Sequence, residues 1–144
     1  EADSSVIRGV LDPERQRQFR ESLSARWYRE HLPVAQANLA ALHEAGVGIA
    51  FGTDSGPPAR FQGYFEHLEM QIMADAGLDP RSILLSATRD AARCTGLDEV
   101  GTLEPGKWAD FVVLREDPLA AVENARTIEG AWVAGNRVEG SRRP

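Results

Sequence analysis

The spacing of apolar positions changes along the chain, and the change divides it into two parts. Asp12-Pro13 supplies an N-cap followed by proline at the first helical position. Phe19, Leu23 and Trp27 then recur every four residues among Arg, Glu and Gln, which predicts an amphipathic helix to about Tyr28. Pro33 opens a second helix with Ala35, Leu39 and Leu42 on one face, and Gly46 closes it. The next run, Val47-Gly48-Ile49-Ala50-Phe51, is short, partly β-branched and bounded by Gly46 and Gly52, so it reads as a strand. Its apolar residues are consecutive rather than alternating, which suits a parallel strand covered on both faces. A loop from Ser55 to Gly63 follows, stiffened by Pro57-Pro58. Phe65, Leu68, Ile72, Met73 and Ala76 then mark a helix over 64–76, ended by Gly77. Asp79-Pro80 starts another, and Thr88 caps a third that stops at Gly96.

From about Gly101 the helical period disappears. Pro105-Gly106 is the pair expected at the centre of a type II turn. Strands are expected over Ala109–Leu114 and Thr127–Val133, with Gly135-Asn136 as a two-residue hairpin loop before Arg137-Val138. Residues 1–96 therefore read as α/β and residues 97–144 as a small, mostly β patch. No internal repeat is present, and residues 1–11 carry no clear pattern.

Composition narrows the partners. The 144 residues carry a formal charge of −6, the wrong sign for a phosphate backbone, so nucleic acid is not expected. No apolar run approaches the ~18 residues of a membrane span. The one cysteine, Cys94, cannot form an intrachain disulfide, which favours a reducing compartment and a cytoplasmic location. The chain begins at Glu1 without an initiator Met; the expectation is a processed protein or a piece of a longer one.

The candidate chemistry sits where the apolar run ends. Asp54 lies between glycines at the C-terminal end of the expected strand, the rim at which α/β folds place ligands and catalytic groups. A turn aspartate capping local amides is the simpler alternative. Ser55 and Gly56 would line the same mouth, and Phe61 and Tyr64 would form an apolar substrate wall or pack in the core. His67 falls opposite the apolar stripe of its helix, whereas Glu69 falls inside it and calls for a charged or hydrogen-bonding partner. His43 reads as structural, Cys94 as a small buried residue, and Lys107 and Trp108 as surface and packing residues. Asp110 is expected to secure the Pro-Gly turn.

Four motifs in order carry a resemblance: Phe51-Gly52-Thr53-Asp54-Ser55-Gly56; Glu66-His67-Leu68-Glu69; Ala87-Thr88 with Ala91-Ala92; and Gly101-Thr102-Leu103-Glu104-Pro105-Gly106-Lys107 leading into Ala109-Asp110-Phe111-Val112-Val113-Leu114. Together they resemble the C-terminal part of the amidohydrolase superfamily, nearest its imidazolonepropionase-like and prolidase-like enzymes, over residues 34–139. The resemblance implies a metal-dependent hydrolase with a (β/α)8 TIM barrel whose last strand is Val47–Phe51, plus part of a small β-sandwich domain. It implies residues 1–96 as the last barrel helices and final strand, and 97–144 as C-terminal strands of the sandwich.

It also implies one or two divalent ions, usually Zn²⁺, at the barrel mouth, with Asp54 as metal ligand and catalytic proton shuttle. Coordination lowers the pKa of bound water from ~16 toward ~7, and a nearby carboxylate then accepts the proton and passes it to the leaving nitrogen. The family's His-x-His pair and later histidines are not matched. The three histidines are His31, His43 and His67, none following an apolar strand, and zinc takes about four ligands. The chain is also short of the ~250 residues of a barrel. The expected partners are therefore an upstream part of the same polypeptide and a small-molecule amide, cyclic amide or dipeptide substrate, with a homo-oligomer left open. The alternative is a non-catalytic scaffold or interaction module derived from such an enzyme. A Mg²⁺-dependent phosphoryl-transfer enzyme would want a second nearby acid in Asp-x-Asp fashion, which Ser55-Gly56 does not provide.

Overall fold

Ser22, rather than Pro33, sets the first helix boundary. In a computed structural model, which describes residues 12–56 and 62–138, α1 spans Pro13–Glu21 and α2 spans Leu23–Glu44. Asp12 caps α1 as expected, its carboxylate accepting from the Glu14 amide at 3.0 Å. Ser22 Oγ accepts from the Ala25 amide at 3.1 Å and starts α2. The boundary expected between Tyr28 and Pro33 thus lies at Ser22, and Pro33 falls inside α2. A proline there removes one ladder bond and crowds the carbonyl four residues back. Pro33 is exposed, which lets water serve that carbonyl. Leu39 packs inward, while Leu23 and Trp27 stay 82% and 54% exposed, so the expected stripe is largely uncovered among the described residues. The side chain of Phe19, and Pro57, Pro58 and Phe61 altogether, lie outside the described residues.

Gly46, with φ 74°, ends α2 in a Schellman arrangement: its amide reaches His43 O at 2.9 Å and Val47 N reaches Leu42 O at 3.0 Å. Val47–Phe51 follows, but it pairs with no strand among the described residues and so forms no ladder. Strand structure belongs to a pair, and an unpaired extended segment leaves its backbone groups to other partners. Phe51 N finds one at Ser86 O, 3.1 Å away. Ile49 and Phe51 are half-buried against the core, while Ala50 is exposed and Val47 is 48% exposed. Among the described residues cover therefore lies on one face, where the consecutive apolar pattern predicts cover on both.

Helix α3, Tyr64–Asp75, ends as predicted at Ala76 and Gly77, and α4, Pro80–Leu85, starts from Asp79, whose carboxylate takes the Ser82 amide at 3.1 Å. Thr88 does not cap a separate helix. Residues Ser86–Asp90 form a π turn that carries α4 without a break into α5, Ala91–Cys94. Thr88 Oγ1 donates back to Leu84 O at 2.7 Å, a bond made within a helix rather than at its start. Cys94, expected to be buried, is exposed.

Met73, Leu78, Ile83 and Val122 form the core, with Leu39, Ile49, Phe51 and Met70 packed against it. Val122 arrives from a short 3₁₀ segment, Val122–Arg126, so the part after residue 97 contributes to the core of the part before it. Gly101 makes a second junction. Its φ is 87°, and a Cβ there would stand 2.6 Å from Ala92 Cβ and 2.9 Å from Thr88 O.

The C-terminal part is an antiparallel sheet in the order β1-β2-β3: Phe111–Leu114, Ile128–Val133 and Asn136–Arg137. Phe111 lies opposite Trp132 and stacks on it with ring centroids 4.9 Å apart, and Arg137 covers the same indole at 5.5 Å. The type II turn is present: Gly106 has φ 90° and Lys107 N reaches Glu104 O at 3.1 Å. The hairpin loop is Ala134-Gly135, one residue earlier than expected, with φ 50° and 76°. Positive φ at both positions is what a type I′ turn requires. Asp110 secures this hairpin rather than the Pro-Gly turn, its Oδ1 accepting from Ala134 N at 2.6 Å. Among the described residues there is this one sheet, and Val112 and Val133 are more than half exposed; the second layer of a β-sandwich is not among them. No helix among the described residues is long and apolar enough to cross a membrane.

Candidate functional site at Asp54

Asp54 stands just past the apolar run, exposed, with φ 52°. Asp is among the few residues that tolerate this left-handed conformation. The residues on either side are tied down by their hydroxyls. Thr53 Oγ1 and Ser55 Oγ lie 2.6 Å apart and both donate to Glu66 Oε1, at 3.0 and 2.6 Å. The other oxygen of Glu66 accepts from the Gly63 amide at 2.5 Å, half of a capping box at the start of α3. One carboxylate thus joins both flanks of Asp54 to the first turn of a helix. The Ser55 hydroxyl does most to hold the Glu66 carboxyl down, to about 2, with backbone amides and Thr53 adding and burial opposing.

Glu69, on the next turn of α3, has the opposite environment. It is half-buried and takes no hydrogen bond or ion pair among the described residues, so the partner expected for it is not found there. Burial pushes its pKa up. His67 is half-buried too, its pKa lowered by burial first and by Arg126 second, with Glu66 opposing. His31 lies flat on Trp27, centroids 4.2 Å apart, and His43 sits in the last turn of α2.

Of the residues expected to meet substrate, Ser55 has its hydroxyl committed to Glu66. Gly56 is exposed with φ 130°, and Tyr64 is 60% exposed with its ring edge-on to Phe65 at 5.3 Å. A separate cleft of about 540 Å³, lined by Leu97, Glu99, Trp108 and Asp110 among others, includes none of them. In the sequence Glu66 stands out only as part of a motif. Its three-residue offset from Gly63 signals a helix cap, but nothing in the spacing signals its bonds to Thr53 and Ser55.

A zinc centre needs several converging donors. Among the described residues no three His, Cys, Asp or Glu side chains come together to hold a metal ion. Asp54 is a suitable oxygen donor by itself, but the described residues do not make up a zinc site.

Comparison with known proteins agrees with the four motifs. The Amidohydrolase family model matches residues 18–138. An imidazolonepropionase from Deinococcus deserti is 32% identical over 111 residues, covering 75% of this chain and 28% of that protein. A 5-methylthioadenosine/S-adenosylhomocysteine deaminase from Teredinibacter turnerae is 29% identical over 136 residues, covering 79% of this chain and 31% of that protein. Among solved structures, a Xaa-Pro dipeptidase with bound methionine in its active site superposes with a TM-score of 0.66 at 27% identity, over 75% of this chain and 26% of that one. The chain therefore spans between a quarter and a third of the length of these relatives.

Proposed function

The chain belongs to the amidohydrolase family, and from that premise we propose that it is the C-terminal part of a TIM-barrel hydrolase of C–N bonds in which Asp54 carries the reacting proton. Deaminases and dipeptidases among the relatives both exchange a bond to nitrogen for one to water's oxygen. The single observation that supports Asp54 is its setting: an exposed carboxylate at the end of the apolar run, flanked by two residues pinned to α3. In this reading the carboxylate takes a proton from the attacking water and returns it to the departing nitrogen, a basic group that leaves poorly until protonated. Ser55, Gly56, Phe61 and Tyr64 border the substrate, a small amide, cyclic amide or dipeptide.

Zn²⁺ belongs to the same proposal, with Asp54 giving one ligand and the other donors coming from an upstream part of the polypeptide. The exposed side of Val47–Phe51 would meet the neighbouring barrel strand supplied by that part, and the sheet β1–β3 would be completed as a sandwich.

The test uses the complete protein. Its metal content is measured, and wild type and Asp54→Asn are assayed on Xaa-Pro dipeptides, cyclic amides and aminated purines. Turnover by the wild type, lost in the variant, supports the reading. An inert, metal-free wild type would favour a scaffold instead.

A further inference from the structure

We infer that Glu66 is a positioning residue for Asp54: by accepting from Thr53 and Ser55 at once, it fixes the backbone on both sides of the catalytic carboxylate. This rests on the reading of Asp54 given above and adds to it a residue that acts through others.

Three observations carry the inference. The first is the shape of the tie. Glu66 Oε1 receives the hydroxyls of residues i−1 and i+1 about Asp54, at 3.0 and 2.6 Å, and these hydroxyls are 2.6 Å from each other. Side chains bonded on both sides of one residue restrain the direction in which that residue projects. The second is where the tie is anchored. The other oxygen of Glu66 takes the Gly63 amide, so the acceptor is itself fixed to α3, and α3 is seated in the core through Met73. The third is the backbone around Asp54. It sits in the left-handed region, which a non-glycine residue holds only where its surroundings fix it, and the ties on its two neighbours contribute to that fixing.

Glu66 does not touch the reacting atoms in this arrangement, so removing it should loosen aim rather than abolish chemistry. Small misplacements of a reacting group cost up to about 100-fold in rate. In the complete protein, Glu66→Ala is expected to lower kcat about 10- to 100-fold with KM nearly unchanged. Glu66→Gln keeps one oxygen acceptor and should recover part of that loss. The double variant Thr53→Val/Ser55→Ala breaks the same tie while leaving the Glu66 cap on Gly63, so it serves even where Glu66→Ala folds poorly. Because the groups act as one unit, adding Glu66→Ala to the double variant should lower kcat little further.

Asp54→Asn, run alongside, separates the outcomes. If it is inactive while Glu66→Ala and the double variant keep wild-type kcat, the tether is refuted and the role of Asp54 stands. The tether is equally refuted if the losses from Glu66 and from the hydroxyl pair multiply as independent effects. If Asp54→Asn turns over normally, the reading of Asp54 fails and the positioning role fails with it.

Discussion

Two residues other than glycine adopt left-handed backbone among the described residues, Ala134 at φ 50° and Asp54 at φ 52°, and they are held by different means. Ala134 is held by backbone. Strands β2 and β3 pair on either side of it, Gly135 N bonds Ala109 O at 3.0 Å, and Asp110 grips its own amide. Its methyl plays no part, and the turn asks only for the conformation. Asp54 has no ladder beside it among the described residues, and its neighbours are held by side chains meeting at Glu66. Left-handed backbone in a non-glycine residue costs on the order of 1–3 kcal/mol. At Ala134 strand pairing offsets that cost; at Asp54 it is retained at a position where glycine would be easier, which argues that the side chain is the reason.

The largest expected effect breaks the comparison at its functional end. Asp54→Asn in the complete protein should lower kcat by about 10²–10⁴-fold and leave the melting temperature nearly unchanged; a variant with near-normal turnover would make Asp54 as replaceable as Ala134. At the other turn, Asp110→Ala should cost about 1–2 kcal/mol in urea unfolding with no change in kcat, since the bond it removes holds only the hairpin.

Acid gives a third contrast. The Glu66 pKa is depressed in the folded state to about 2 from 4.5, so its stabilising contribution is complete above ~4.5 and is lost as pH falls toward ~2. Comparing melting temperatures of wild type and Glu66→Gln from pH 7 to pH 2 should show wild type ahead at neutral pH and the gap closing below about pH 4.5. Glu69 has the opposite sign: burial raises its pKa, so ionisation opposes folding. Glu69→Gln should raise the melting temperature at pH 7 and lose that advantage in acid. The smallest effect is a pair of glycines. Ala134→Gly should stabilise by roughly 0.5 kcal/mol by relieving strain, and Asp54→Gly should lose activity.

The local punctuation of this fold was legible in the sequence. Asp12 and Asp79 cap helices, Gly46 and Gly77 end them, and Gly106 makes the type II turn, because each is a matter of one residue's φ or one short hydrogen bond. Sequence and structure part where two local rules compete or where the partner is distant. Pro33 is usually a boundary, but Ser22 supplies a better start and Pro33 faces solvent. Thr88 resembles a cap, yet the π turn gives its hydroxyl a carbonyl on the preceding turn. The Ala134-Gly135 loop lies one residue from its expected place because alanine gives no sign of accepting positive φ. At the site, the position of Asp54 is readable from the run before it. The Glu66 tie is not, since periodicity along one helix does not reveal which loop folds back over its first turn.

The π turn at Ser86–Asp90 has a consequence for how this chain tolerates changes of length. Ser86 O accepts both the Ala91 amide, five residues on, and the Phe51 amide from across the core. Deleting one residue from that turn would restore a regular helix and withdraw the docking point beneath Phe51, three residues from Asp54. A single-codon deletion in a helix remote in sequence would thereby shift the acidic group, whereas the same deletion in the surface connection before β1 would leave it in place.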